Sequence, residues 1–212
     1  MDTEQTQAVK VDQKGGENGS LDLNTEFQKQ IDRYVELNFH KELGLTEEAY
    51  KASFSPFTPR PDIVRNEFDI PIVVETRIGP GRQAELADIF DGTKGYGVQD
   101  WQLDPKRFKT PETPYTVWMN DGSKNLGKSA ADVRNSLPAD ERGATLQEVV
   151  ALLIHKPVIL EKHAVMSVGT DFGRVVGMTV PALYTEKDGR KTLWNALAPQ
   201  KYNTFSYPTC SR

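Results

Sequence analysis

The chain predicts an α+β fold: N-terminal helices, a mixed middle and a largely antiparallel C-terminal sheet packed on one long helix. Three observations predict it. Helical spacing of apolar residues dominates the first third, with Phe27, Ile31, Tyr34 and Val35 on one face. The strongest helix signal, Thr145-x-x-Glu148 followed by Leu146, Val149, Val150, Leu153 and Ile154, stands alone before the end. Four β-rich runs at 163–170, 178–185, 191–197 and 203–209 are then joined by connections too short for parallel crossovers.

In chain order, residues 1–23 are polar and hold Gly15-Gly16-Glu17-Asn18-Gly19-Ser20. Such a stretch buries too little surface to offset its ordering entropy, so a disordered tail is expected at 1–23 and a single domain at 24–212. Asn24 reads as a helix cap and Gly44 as the helix end. Thr46 opens a short helix with acids in its first turn. Residues 68–76 read as a strand, which Pro71 places at a sheet edge or makes begin after it. A short helix is expected over 83–90, a long loop over 91–114, a strand over 115–119 and a helix over about 129–137. Pro157 ends the Thr145 helix. Asp188-Gly189 between two β-runs marks a hairpin, because glycine accepts the positive φ of such turns.

Composition removes several function classes. With 37% hydrophobic residues the chain can build a core, and no apolar run is long enough to span a membrane. The formal charge of −4 argues against a duplex nucleic-acid binder, whose affinity rests on neutralising phosphates. A single cysteine, Cys210, excludes an internal disulfide and a cysteine-rich zinc site. It also fits the cytoplasm, where thiols stay reduced, as does the polar start of the sequence. His40, His155 and His163 lack metal-ligand spacing, and no cofactor is expected.

Two function classes remain. The first is a non-enzymatic module that binds a protein or small-molecule ligand across the C-terminal sheet. Its candidate residues are Trp194, Asn195, Asn203, Tyr207 and His163, in a region where Tyr202 and Phe205 add further rings. Aromatics set among amides and hydroxyls make good contact surfaces; the plainer alternative is that they fill the sheet's core face. The second class rests on Gly122-Ser123-Lys124-Asn125-Leu126-Gly127-Lys128-Ser129, which satisfies G-x-x-x-x-G-K-[ST]. In a P-loop the amides wrap phosphates, the lysine reaches the β/γ-phosphates and the hydroxyl meets Mg²⁺. Gly122, Gly127, Lys128 and Ser129 would carry that role. Little chain follows the motif, however, and Pro138 stops the next helix early, so a polar turn is the preferred reading. Glu161 two residues before His163 suggests acid–base chemistry, against a structural histidine. The glycine-rich run 92–97 and the basic run 106–109 read as solvated loops.

Leu146-x-Glu148-x-x-Ala151-Leu152, Leu160-Glu161-Lys162-His163, Gly169, Val180-Pro181-Ala182-Leu183 and Cys210 follow one another in order. Over about residues 110–212 this resembles the C-terminal part of an uncharacterised bacterial family, common in actinobacteria and known only as a domain of unknown function. The chain departs from that pattern where Lys162 meets His163 directly, where Ala164 follows, and where Trp194 is the hairpin's one tryptophan. The resemblance implies a soluble, intracellular bacterial protein and carries over no functional residue.

Overall fold

The structure is a computed structural model that describes residues 22–56, 68–89, 103–104, 110–172 and 179–211. The chain is α+β. Residues 1–21 of the tail expected at 1–23, and the loops expected at 92–97 and 106–109, lie outside the described residues.

Asp22, not Asn24, caps the first helix, α1 (Leu23–Glu36): its carboxylate accepts from the amides of Asn24 and Thr25 at 3.1 and 3.3 Å. Residues 22 and 23 thus belong to the helical layer rather than to a tail. The expected continuous helix to Gly44 is broken at Asn38, whose φ of 62° starts a second piece, α2 (Phe39–Glu42). Thr46 caps α3 (Glu47–Ala52) as expected, accepting from the Ala49 amide at 3.2 Å.

A four-stranded antiparallel sheet, in the order β1-β3-β10-β4, joins β1 (Ile70–Val74), β3 (Tyr115–Met119), β10 (Thr209–Ser211) and β4 (Glu141–Gly143). Pro71 lies in β1 at the sheet's edge, where its missing N–H is tolerated. A second sheet has the order β8-β7-β5-β9: β8 (Lys191–Leu197), β7 (Thr179–Thr185), β5 (Ala164–Met166) and β9 (Phe205–Ser206). Its pairs are antiparallel except β5–β9. A two-stranded ribbon pairs β2 (Leu103–Asp104) with β6 (Asp171–Phe172).

Sequence reasoning places all the late β-runs in one sheet. The structure divides the last of them at Tyr207-Pro208: β9 joins the second sheet and β10 enters the first, between β3 and β4. A tight backbone approach seats this crossover: a Cβ at Gly122 would sit 2.4 Å from Tyr207 and Pro208 backbone atoms. A second, of Gly169 to the Gly143 carbonyl, holds the segment after β5 against β4.

The helix α6 (Leu146–His155) carries the expected capping box: Thr145 Oγ1 accepts from the Glu148 amide and the Glu148 carboxylate accepts from the Thr145 amide. It lies chiefly on β1 and on α4 (Pro80–Leu86). It shares its core with Val165, Leu183 and Leu193 of the second sheet. The element lying directly on β5 and β7 is α7 (Val158–Lys162), which sequence reasoning misses. Pro157 serves both: α6 ends at His155 just before it, as expected, and with φ of −61° it stands at the N-cap of the new helix.

The second sheet is a wall between two cores. Strand alternation sends Val165, Leu183 and Leu193 to the α6 side. It sends Met166, Val180, Ala182 and Ala196 to the other side, against Ala130 and Val133 of α5 (Ala130–Ser136).

Candidate functional site

The face of the second sheet that α5 covers at one end carries a cluster of rings at the other. Ala182 pairs with Trp194 and Tyr184 with Thr192 across β7–β8, so Tyr184 and Trp194 share the face of Ala182. Phe205 lies opposite Ala164 on β9. Tyr202 reaches in from the loop before β9, its centroid 5.9 Å from Trp194 and 5.0 Å from Phe205. Tyr184 stands 6.4 Å from both Trp194 and Phe205. Phe205 is buried, while Tyr184, Trp194 and Tyr202 are half-buried and open to water.

The phenols at the rim are hydrogen-bonded. Tyr184 Oη donates to Glu186 Oε1 at 3.0 Å and Tyr202 Oη to Gln200 Oε1 at 3.1 Å. Partial burial, and then the neighbouring Glu186 carboxylate, push the Tyr184 phenol above its ordinary range.

Of the residues expected to bind, Trp194 is in this cluster. Tyr207 is not: it is fully buried, packs in the core beneath α5 and donates from its hydroxyl to the Lys128 carbonyl at 2.8 Å. It belongs to the same core as Ala182, Ala196 and Phe205, but at the end that Ala130 and Val133 of α5 cover, so no ligand can reach it there. Asn203 is exposed in the turn before β9. Asn195 pairs with Pro181, and its side chain lies outside the described part. His163 ends α7 half-buried, its Nε2 shut from solvent without a hydrogen bond among the described residues. Glu161 is exposed on α7, and no hydrogen bond links it to His163. Tyr184, unclaimed by the sequence reading, had a signal: a hairpin centred on Asp188 puts residues 184 and 194 at even offsets, hence on one face.

The Gly122–Ser129 string folds differently from a phosphate cradle. Its amides are used within the chain. Gly122 N donates to Asn120 Oδ1 and Ser123 N to Asp121 Oδ1. Asn125, Leu126 and Lys128 donate to the carbonyls of Gly122, Ser123 and Asn125. Ser129 caps α5 through a capping box with Asp132, and Lys128 Nζ donates to Asn125 Oδ1 at 2.9 Å. Gly122 and Gly127 supply positive φ, 78° and 76°, for a single 3₁₀ turn over Ser123–Asn125. The motif forms a turn and a helix cap, an arrangement unlike the cradle expected of Gly122, Gly127, Lys128 and Ser129 in a nucleotide-binding loop.

Two polar clefts lie elsewhere. One of about 360 Å³ is lined by Asp69, Asn120, Asp121, Ser123 and Lys124, with Lys124 Nζ held by Glu141 Oε1 at 2.8 Å. The other, of about 350 Å³, lies between α1 and the end of α6. Among the described residues, no group of three His, Cys, Asp or Glu is placed to hold a metal ion, and no helix is long and apolar enough to cross a membrane.

Cys210 is no bystander at the chain end. It is fully buried in β10, with its sulfur 3.6 Å from Glu148 Oε2. Glu148 also binds Arg142 through both oxygens, at 2.5 and 2.7 Å, and accepts from Tyr115 Oη at 2.7 Å. Burial alone would raise the Glu148 carboxyl, but Arg142 and its other donors hold it below its ordinary value. Burial and then Glu148 push the Cys210 thiol well up. Every acceptor direction of Glu148 is thus occupied, so this cluster reads as structural.

Compared with family models, curated proteins and solved structures, the chain gives no match.

Proposed function

We propose that the chain is a non-enzymatic binding module whose ligand seats on the ring-bearing face of the second sheet. The observation that carries this reading is the cluster of half-buried Tyr184, Trp194 and Tyr202 around Phe205. Rings held by a sheet and left open to water provide large contact area at low entropic cost. Placement in a bacterial cytoplasm belongs to the same proposal, supported by the free thiol of Cys210. So does kinship over residues 110–212 with the family they resemble.

The test is a titration followed by tryptophan fluorescence, using nucleosides, oligosaccharides, short peptides and small amines. Comparison with Trp194→Phe separates the Trp194 signal from the chain's two other tryptophans. A saturable change that Tyr202→Ala abolishes with Trp194 still in place, and with far-UV circular dichroism unchanged, is expected. A panel without any response, or variants that bind as well as the parent, would overturn the reading.

A further inference from the structure

The rings form a closed circuit: Tyr184 to Trp194, Trp194 to Tyr202, Tyr202 to Phe205 and Phe205 back to Tyr184, with centroid separations of 6.4, 5.9, 5.0 and 6.4 Å. Two successive pairs stand nearly at right angles, at 77° and 85°. Perpendicular walls with centroids about 6 Å apart can both face a point about 4 Å from each ring, within the reach of a cation–π contact. Small side chains flank the circuit on the neighbouring strands, Ala182 paired with Trp194 and Ala164 with Phe205.

The charges beside the box favour a cation. Ring faces are the negative ends of aromatic quadrupoles. The Glu186 carboxylate sits on the Tyr184 hydroxyl at the rim. Cations beside the rings are drawn to other partners: Arg190 to Asp188 at 2.6 Å, Lys191 to the Asp88 carbonyl at 3.0 Å and Lys201 to Asp132 at 3.9 Å. Apolar walls penalise a compact, strongly hydrated ion and accept one whose charge is spread over methyl groups. Both rim phenols already donate within the chain, to Glu186 and to Gln200.

We infer that this box takes a trimethylammonium head group. The inference rests on the binding-module reading and gives it a ligand class.

The full chain is titrated with choline and with tetramethylammonium, followed by tryptophan fluorescence and calorimetry. In parallel it is titrated with 3,3-dimethylbutanol, the neutral isostere of choline. Choline is expected to bind at least tenfold more tightly than the isostere. Trp194→Ala should abolish binding, Trp194→Phe weaken it several-fold, and Glu186→Gln weaken it several-fold with less dependence on salt. A trimethyllysine peptide forms a further arm: tighter binding than choline supports the inference and assigns the head group to a polypeptide side chain. Equal binding of choline and isostere, or no binding of any ammonium probe, overturns it. If the neutral ligands of the panel still change Trp194 fluorescence, only the ammonium inference falls; if nothing does, the binding-module reading falls as well.

Discussion

Gln30 completes the edge of β1 as a neighbouring strand would: its side-chain oxygen accepts from the Val73 amide at 2.8 Å, and its nitrogen donates to the Pro71 carbonyl at 2.8 Å. Tyr34, one turn along α1, donates from its hydroxyl to the Val73 carbonyl at 2.8 Å. An open strand edge is a template for pairing with another chain. Here one helix face covers it with polar side chains of matching chemistry.

Replacing Gln30 by Ala strands a buried donor and a buried acceptor, each costing about 1–3 kcal/mol. Urea unfolding of Gln30→Ala should show a loss of about 2–4 kcal/mol. A loss below about 0.5 kcal/mol would mean that water or a neighbour replaces the amide.

His155 makes the fold sensitive to mild acid. It sits edge-on to Tyr34, with ring centroids 4.8 Å apart, and its Nε2 is closed off from solvent. Burial pushes its imidazole down to about 3, against the pull of Glu26 and with the help of Lys156. Above pH 6.5 both folded and unfolded chains carry it neutral. Below that, only the unfolded chain takes up the proton, so stability falls with falling pH at up to about 1.4 kcal/mol per pH unit. The carboxylates held down by partners, Glu148 and Glu26, add their own losses only below their ordinary value of 4.5. Between pH 6.5 and 5 the loss of about 2 kcal/mol should therefore vanish in His155→Gln. Unfolding curves at several pH values measure it, and an unchanged slope in the variant would refute the assignment.

The elements that sequence reasoning recovers are those specified within a few residues. Thr145 and Glu148 form their capping box by local spacing alone, and Asp188-Gly189 sets its hairpin. The first cap is misplaced because Asp22 and Asn24 both suit the role, and the choice follows from which one begins the turn. The division of the last β-run was not legible. It depends on β10 meeting β3 and β4, strands more than 60 residues away, with Gly122 packed against the Tyr207-Pro208 backbone that leads into β10. At the candidate site Trp194 was legible as an aromatic in an alternating strand. Tyr207 is not a binding residue because α5, a distant segment, covers its end of the core. The second role of Glu148, binding Arg142, Tyr115 and Cys210, arises only once four separate segments converge.

That convergence predicts a strong asymmetry between two buried neighbours. Glu148→Gln leaves Arg142 without its counter-charge and should cost about 3–5 kcal/mol. Cys210→Ser keeps the volume and offers Glu148 a hydroxyl, so a cost below about 1.5 kcal/mol is expected. The native thiol should resist a disulfide reagent that reacts fully in denaturant, because it is both buried and held protonated. Rapid labelling of folded protein would contradict this packing.

The Gly122–Ser129 string supplies the sharpest separation of fold from nucleotide chemistry. Gly122 has positive φ and no room: an added Cβ would meet Tyr207 and Pro208 backbone atoms at 2.4–2.5 Å. Gly127 has positive φ but nothing within 4 Å. If the string is a turn that seats β10, Gly122→Ala should cost well above the roughly 1–2 kcal/mol of left-handed strain that Gly127→Ala incurs. Lys128→Ala, which removes one contact to Asn125, should change stability by less than about 1 kcal/mol. A phosphate cradle predicts another pattern: both glycines and Lys128 matter for ligand, and Mg-ATP or Mg-GTP raises the melting temperature by mass action. Differential scanning fluorimetry on the four proteins with and without nucleotide decides between them. The turn predicts no nucleotide-dependent rise in any, and a rise in the parent that Lys128→Ala removes would restore the cradle.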